Sequence, residues 1–405
     1  MAAARRIPSA PTAQPVLPDE ILEEIFLRLD AAADLARTSA ACSSFRRLIS
    51  ARRFLRRFRS LHSPPVLGLL DDEGYGGSRL PVERFIPIER FIPIEPPHRS
   101  APAARALARA ADFTFSFLPD ACSWRPRDSR DGRVVLSRRV ANAAAFDDLV
   151  VCDPLHRRYV MIPPIPDDLT ASITKLGKNF EPFLAPAGDG KDEKLKDEEE
   201  SSLRVICTVR FENKFIAFFF SSANQKWGLI TYHSSSSFGY RRCYAHGCFF
   251  WVVDSKGYAL MLDTRQMKFS IIDLPPNNDV SNRFAFVEAG EGRLGLLTLV
   301  GSTIDLSCKI WRNNDAGAEG WQHCKMIPLP KDCGGINYIW YIMGAAERYL
   351  NLLALHMVHR ESPGQYFILD IKTLLLERLC TLNARAFLVS HLYASFPPLL
   401  APPSL

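Results

Sequence analysis

The sequence predicts a multidomain α+β chain, with a small N-terminal block of three helices followed by a mainly antiparallel all-β domain. Three observations predict it. Apolar residues recur at helical spacing between Leu17 and Leu61. After Pro65 they gather instead into short Val, Ile, Phe, Tyr and Trp runs bounded by Gly, Pro, Asn and Asp. One strand–turn–strand phrase then returns several times along the chain.

Residues 1–16 are rich in alanine and proline and are expected to form a flexible lead. Pro18 suits the first turn of a helix, where its missing N–H leaves no partner wanting. Asp19, Glu20, Glu23 and Glu24 load that end with the sign the helix dipole favours. Ile21, Leu22, Ile25, Phe26 and Leu29 fall on one face. Asp30 is placed to cap a second helix over Ala31–Ala41, and Ser43 or Ser44 to start a third. Phe45, Leu48 and Ile49 continue the apolar stripe. Phe54, Leu55, Phe58 and Leu61 extend it through a linking helix that ends at His62-Ser63-Pro64-Pro65.

Strands are expected at Val66–Leu70, Phe113–Leu118, Val134–Leu136, Leu149–Cys152, Val205–Val209, Phe215–Phe220, Phe249–Val253 and Phe367–Leu369. No long amphipathic helix intervenes, which argues against a parallel α/β fold. The repeated phrase is clearest at Val151–Pro163, Met261–Pro275 and Ile368–Leu379. In each, an aspartate (Asp153, Asp263, Asp370) precedes the turn and is placed to bond its own turn backbone. A degenerate copy runs from Trp311 through Trp321, and there is room for another near Gln225–Tyr232. Units of about 40–50 residues made of four short strands are how a β-propeller blade reads, and the arithmetic gives six or seven blades. The domain boundaries expected are 17–63 for the helices with their linking helix, 64–396 for the β domain and 397–405 for a tail. The mixed-charge run Asp189–Glu200, within a loop at about 186–202, reads as solvated and mobile. The immediate repeat Glu83–Ile88/Glu89–Ile94 reads as a neutral duplication in a surface loop.

The chain has 405 residues, 47% hydrophobic and 23% charged, which excludes a wholly disordered or collagen-like chain. Its apolar runs fall short of the roughly 18 residues a membrane span needs. MAAARRIPSA has no apolar stretch behind its arginines, so no secretory signal and no membrane partner are expected. The expected location is the cytoplasm, the nucleus or both, with the ten cysteines reduced. Residues 1–63 carry eleven arginines against six acids, so nearly all of the net charge of +6 sits there. Those arginines lack interleaved exposed aromatics, and a nucleic-acid partner is not expected.

Leu17-Pro18-Asp19-Glu20-Ile21-Leu22-Glu23-Glu24-Ile25-Phe26-Leu27-Arg28-Leu29, Asp34-Leu35, Cys42, Phe45-Arg46-Arg47-Leu48-Ile49 and Phe54-Leu55 together resemble an F-box over residues 17–56. Ala41 stands where that family usually has valine, and Phe45 where tryptophan is usual. The resemblance implies a small helical module that binds the Skp-family adaptor of cullin–RING ubiquitin ligases. Carried over, it makes Leu17, Pro18, Ile21, Ile25, Leu29, Leu35, Phe45 and Ile49 the adaptor-facing set, of which about half are expected at a true interface. Ile25 and Leu35 are the first that an internal role would claim. Phrases such as Leu149–Tyr159, Tyr244–Trp251 and Glu288–Gly295 are similar to plant, especially grass, F-box proteins with an F-box-associated β-propeller-like C-terminal region.

That resemblance implies a substrate receptor for ubiquitination and proteasomal degradation, with a target protein held by the β domain. A non-degradative scaffold is one alternative, and a propeller enzyme or small-ligand receptor a lower one. No catalytic residue, cofactor or metal is expected. Gly290-Glu291-Gly292-Arg293-Leu294-Gly295 has the spacing of a dinucleotide loop, but a strand-like run follows it where a helix is required, so a hairpin turn is favoured. Cys243, His246 and Cys248 have no matching second cluster to complete a zinc site, and a buried structural role is favoured.

Overall fold

The computed structural model describes residues 17–29, 32–71, 90–138, 146–170, 180–186, 203–211, 214–234, 238–253, 257–275, 284–301, 303–311, 320–329, 338–346, 349–356, 363–382 and 390–398. The lead at 1–16, Asp30, the first copy of the six-residue repeat, the charged run at 189–200 and the tail beyond 398 lie outside them. The described chain divides into two compact units, with the breaks between Pro64 and Pro65 and between Ser395 and Phe396.

The first unit is built on four helices, α1 (Asp19–Leu27), α2 (Ala32–Ala41), α3 (Ser43–Ile49) and α4 (Arg52–Leu61). Pro18 occupies the N-cap position of α1, with Asp19 and Glu20 in its first turn. The start of α3 is capped by Cys42, whose Sγ accepts the Phe45 N–H at 3.4 Å. The core joins Phe26, Leu27, Ala32, Leu35, Ile49, Phe54 and Phe58. It also takes in Phe396, which the sequence reading leaves with the β domain. Leu61 departs from the expected stripe and is exposed.

The second unit is all-β apart from two described α-helices and a short 3₁₀ turn. It runs β1 (Val66–Asp71), β2 (Phe91–Pro93), α5 (Ala101–Ala110), β3 (Arg125–Arg130), β4 (Arg133–Arg138), β5 (Asp148–Asp153), β6 (Arg158–Ile162) and α6 (Asp167–Thr170). It continues with β7 (Phe180–Leu184), β8 (Arg204–Arg210), β9 (Lys214–Ser221), β10 (Lys226–His233), β11 (Phe238–Ala245), β12 (Cys248–Val253), β13 (Tyr258–Asp263) and β14 (Lys268–Asp273). The last strands are β15 (Phe284–Glu288), β16 (Arg293–Val300), β17 (Thr303–Ile310), β18 (Gln322–Pro328), β19 (Tyr338–Ala346), β20 (Tyr349–His356), β21 (Gly364–Asp370), β22 (Leu375–Leu382) and β23 (Ser390–Ala394).

These strands form antiparallel meanders of four consecutive strands, β3–β6, β7–β10, β11–β14, β15–β18 and β19–β22. A three-stranded sheet, β2-β1-β23, draws on both ends of the domain. Apolar clusters fill the spaces between meander faces. One lies between β3–β6 and β7–β10, and another between β7–β10 and β11–β14. A third is shared by β11–β14, β15–β18 and β19–β22, and a fourth joins the three-stranded sheet and α5 to β4, β5 and β20–β22. The domain is therefore propeller-like, but its hydrogen-bonded sheets are not six or seven separate blades. Among the described residues there are five sheets, four of them with four or more strands. The count falls because β11 and β19 pair in parallel at Cys243↔Ala345 and Tyr244↔Ala346, which merges two meanders into one eight-stranded sheet.

Two expected elements differ. Phe113–Leu118 is not a strand: Asp112 accepts hydrogen bonds from the Thr114 N–H and from the Thr114 and Ser116 hydroxyls, and Phe115 adopts φ +57°. The described part of the second repeat copy is not a loop but contains β2, where Phe91 is buried and stacks on Phe113 with centroids 4.1 Å apart.

The aspartate-led turns follow the sequence reading. Asp153 Oδ1 accepts from Leu155 N and His156 N, each at 3.1 Å. Asp263 Oδ1 accepts from Arg265 N and Gln266 N at 2.7 and 3.0 Å, and Asp370 Oδ1 from Lys372 N and Thr373 N at 2.9 and 3.4 Å. In each, the residue just before the returning strand is left-handed: Arg157 (φ +53°), Met267 (φ +49°) and Leu374 (φ +56°). The β9–β10 turn repeats this with Gln225 (φ +54°) and no aspartate.

Candidate adaptor-binding face

The helical unit sorts its apolar residues by helix face. In α1 Phe26 and Leu27 turn inward, and Phe26 meets Phe45 edge-on at 5.0 Å. Ile21 and Ile25, one turn apart on α1, point elsewhere, and Leu17 lies just ahead of the N-cap Pro18. Leu17, Ile21 and Ile25 are 46%, 48% and 44% exposed. Three large apolar side chains left in water on a domain this small are a surface that burial would stabilise, at roughly 25 cal/mol per Å² covered.

Of the eight residues carried over from the F-box resemblance, Leu17, Pro18, Ile21 and Ile25 are exposed along α1 and its start. Leu29 and Phe45 are half-buried against the core. Leu35 and Ile49 have no exposed surface and belong to the core of the helical unit. The exposed apolar residue that helical spacing did not single out is Leu61, because it continues the spacing of two core phenylalanines, Phe54 and Phe58.

Charge frames this surface. Arg57 of α4 reaches Glu24 at 2.6 Å and Glu23 at 3.4 Å, and Arg47 of α3 reaches Asp19 at 3.4 Å. Part of the arginine-rich stretch thus meets the acids of α1. His62 closes α4 by stacking on Phe58 at 4.2 Å, with its Nε2 2.8 Å from the Leu27 carbonyl.

The motifs in the β domain that suggested chemistry have structural settings. Gly290 and Gly292 have φ of +78° and +68° and form the hairpin turn between β15 and β16, with Arg293 N donating to Gly290 O at 2.9 Å. His246 lies in the β11–β12 turn (φ +49°) rather than on a strand; its Nε2 is 3.0 Å from the Arg293 carbonyl and its ring stacks on Trp311. Burial pushes the Cys243 thiol up to about 11 and the Cys248 thiol to about 12. No group of three metal-ligating side chains gathers among the described residues. A cleft of about 220 Å³ opens beside β5, β6 and β10, with Trp227, Phe146 and Ile165 on its walls and Asp147, Asp148 and Asp167 on its lining.

Comparison with known families agrees with the helical unit. The F-box-like family profile matches residues 15–61. The chain therefore carries an F-box-like domain at its N-terminus, followed by a propeller-like all-β region. No curated protein matches the sequence. Among solved structures, TolB from Acinetobacter baumannii is similar at 10% identity and a TM-score of 0.38, over 82% of this chain and 69% of that one. The β-propeller domain of the Trilobed protease from Pyrococcus furiosus is similar at 10% identity and a TM-score of 0.28, over 63% and 70%. An oligogalacturonate lyase in complex with manganese is similar at 6% identity and a TM-score of 0.32, over 61% and 62%. None of these likenesses bears on what this chain binds.

Proposed function

We propose that this protein is the substrate-receptor subunit of a Skp–cullin–F-box ubiquitin ligase, of the kind with a β-propeller-like C-terminal region found in plants. The observation that carries the reading is the F-box-like match over residues 15–61, on a helical unit that leaves Ile21 and Ile25 of its first helix, and Leu17 just ahead of it, exposed. F-box domains are typically non-catalytic adaptor-binding modules. The chain's contribution is then proximity: the helical unit is held by the Skp-family adaptor, and through it by the cullin and RING subunits. The β domain holds a target protein. Tethering raises the effective concentration of target lysines near the loaded conjugating enzyme, without activating a nucleophile here. The reading places the protein in the cytoplasm or nucleus and makes the target a substrate for proteasomal degradation.

The test is co-purification with the Skp-family adaptor, comparing the wild type with a Leu17→Ala/Pro18→Ala variant. Binding that the variant abolishes supports the reading, and a captured target that lengthens its half-life on loss of this protein supports the degradative role. A captured target of unchanged half-life favours a scaffold. A folded wild type that ignores the adaptor overturns the ligase reading.

A further inference from the structure

The outer hairpin of the fourth meander brings two cysteines together. In the antiparallel pair β17–β18, Cys308 faces Gln322 and Ser307 faces His323, but Leu306 faces Lys325. Cys324 is the extra residue of that irregularity, a bulge, and bulges re-aim side chains. Its thiol donates to the carbonyl of Gln322, the residue that faces Cys308, at 3.7 Å, and it interacts electrostatically with the Cys308 thiol. Cys308 is buried in the core shared with β15 and β16, whereas Cys324 is exposed. Cys324 is thus a diagonal neighbour of Cys308, a class held roughly 7–8 Å apart with the Cβ atoms somewhat closer. A disulfide needs roughly 3.5–4.5 Å, a difference that a bulge on an outermost strand can take up. His323 is turned to Asp305 at 2.8 Å and adds no third metal ligand.

We propose that Cys308 and Cys324 are a reversible modification site, converted by a hydroperoxide into a disulfide that staples the outer strand β18 to β17. The exposed Cys324 meets the oxidant first. Its sulfur attacks the peroxide O–O bond and becomes a sulfenic acid, while the peroxide leaves as an alcohol, or as water from hydrogen peroxide. The Cys308 sulfur then displaces water from the sulfenic acid as the S–S bond forms. Two thiols are thereby oxidised by two electrons, and the peroxide bond is reduced. Burial, and then the Cys324 thiol, push the Cys308 thiol up to about 12, so Cys308 is the protonated, sheltered partner that resolves rather than initiates. The bond would tie down an edge whose free strand is otherwise held by one ladder.

The full-length protein, treated with hydrogen peroxide and then alkylated in denaturant, tests this by tryptic mapping. Cys308 and Cys324 fall on separate tryptic peptides, residues 294–309 and 313–325. The expected result is a linked peptide pair lighter by two hydrogens, loss of alkylation at both positions, and full recovery with dithiothreitol. Cys324→Ser should abolish the link and leave Cys308 alkylated, with the same melting curve as the wild type in reductant. Cys324 oxidised while Cys308 stays alkylatable, or Cys324 linked to any other cysteine, overturns the proposal. So does a pair no more reactive than the buried Cys207.

Discussion

Phe396 meets Phe58 edge-on, with ring centroids 6.1 Å apart, and so completes the helical core from the far end of the sequence. A helical block of this size has little core of its own and is marginal alone. One more buried phenylalanine is a large share of it. Phe396→Ala is expected to cost the helical unit roughly 3 kcal/mol. Hydrogen exchange should show faster opening in α1–α4 and unchanged protection in β4, β8 and β12. Equal protection of α4 in wild type and variant would sink the idea.

The exposed face of α1 separates binding from folding. Ile21→Asp and Ile25→Asp place a charge on surface already in water, so the melting temperature is expected to stay within a degree or two of wild type. Adaptor binding is expected to fall at least tenfold, because a carboxylate would be desolvated in the interface. Leu35→Ala should do the reverse, costing about 2–5 kcal/mol of stability by opening a cavity, with binding falling only as the unit unfolds. Calorimetry beside a pull-down distinguishes them; an Ile21→Asp variant that binds normally removes α1 from the interface.

Arg242 of β11 holds two other meanders together. It pairs with Asp128 of β3 at 2.9 Å and with Glu181 of β7, and its guanidinium lies over the Phe183 ring, 4.0 Å from the centroid. Glu181 also takes Arg210 at 2.6 Å. Arg242→Met leaves Asp128 largely buried without its cation, an expected loss of roughly 3 kcal/mol. Adding Asp128→Asn to that variant should restore part of it, whereas the same change in the wild type should destabilise. Additive single effects in a denaturant-melt cycle would show that the pair is not coupled.

How much of this was legible follows from range. The turns at Asp153, Asp263 and Asp370 were readable because an aspartate bonds amides two and three residues ahead, chemistry that needs no tertiary context. The exposed residues Leu17, Ile21 and Ile25 were readable as apolar, but their direction was not. Helical spacing alone assigns Ile25 to the inside as readily as Leu35, and only the packing of Phe26 on Phe45 decides between them. The sheet β2-β1-β23 and the core position of Phe396 were not readable at all, since their partners lie at opposite ends of the chain. The merged eight-stranded sheet depends on two residue pairs, too few to leave a pattern.

His98 makes the β domain's stability depend on pH. Its Nδ1 accepts the Ser100 N–H at 3.0 Å, and its Nε2 lies 3.4 Å from Glu377. An accepting Nδ1 requires the neutral ring, with the remaining proton on Nε2 facing the carboxylate. Burial lowers the His98 value below 6.5, Glu377 opposes that, and Arg99 reinforces it. The unfolded chain therefore binds the proton more readily than the folded one, and stability must fall as pH drops. The contribution is complete above the unfolded value of about 6.5 and is lost progressively as pH falls toward and through the folded one. His98→Asn keeps an acceptor for Ser100 N but does not titrate there. Melting temperatures taken between about pH 7.5 and pH 5 should fall more steeply for the wild type than for this variant. Parallel curves would mean that His98 is protonated as easily in the fold as out of it.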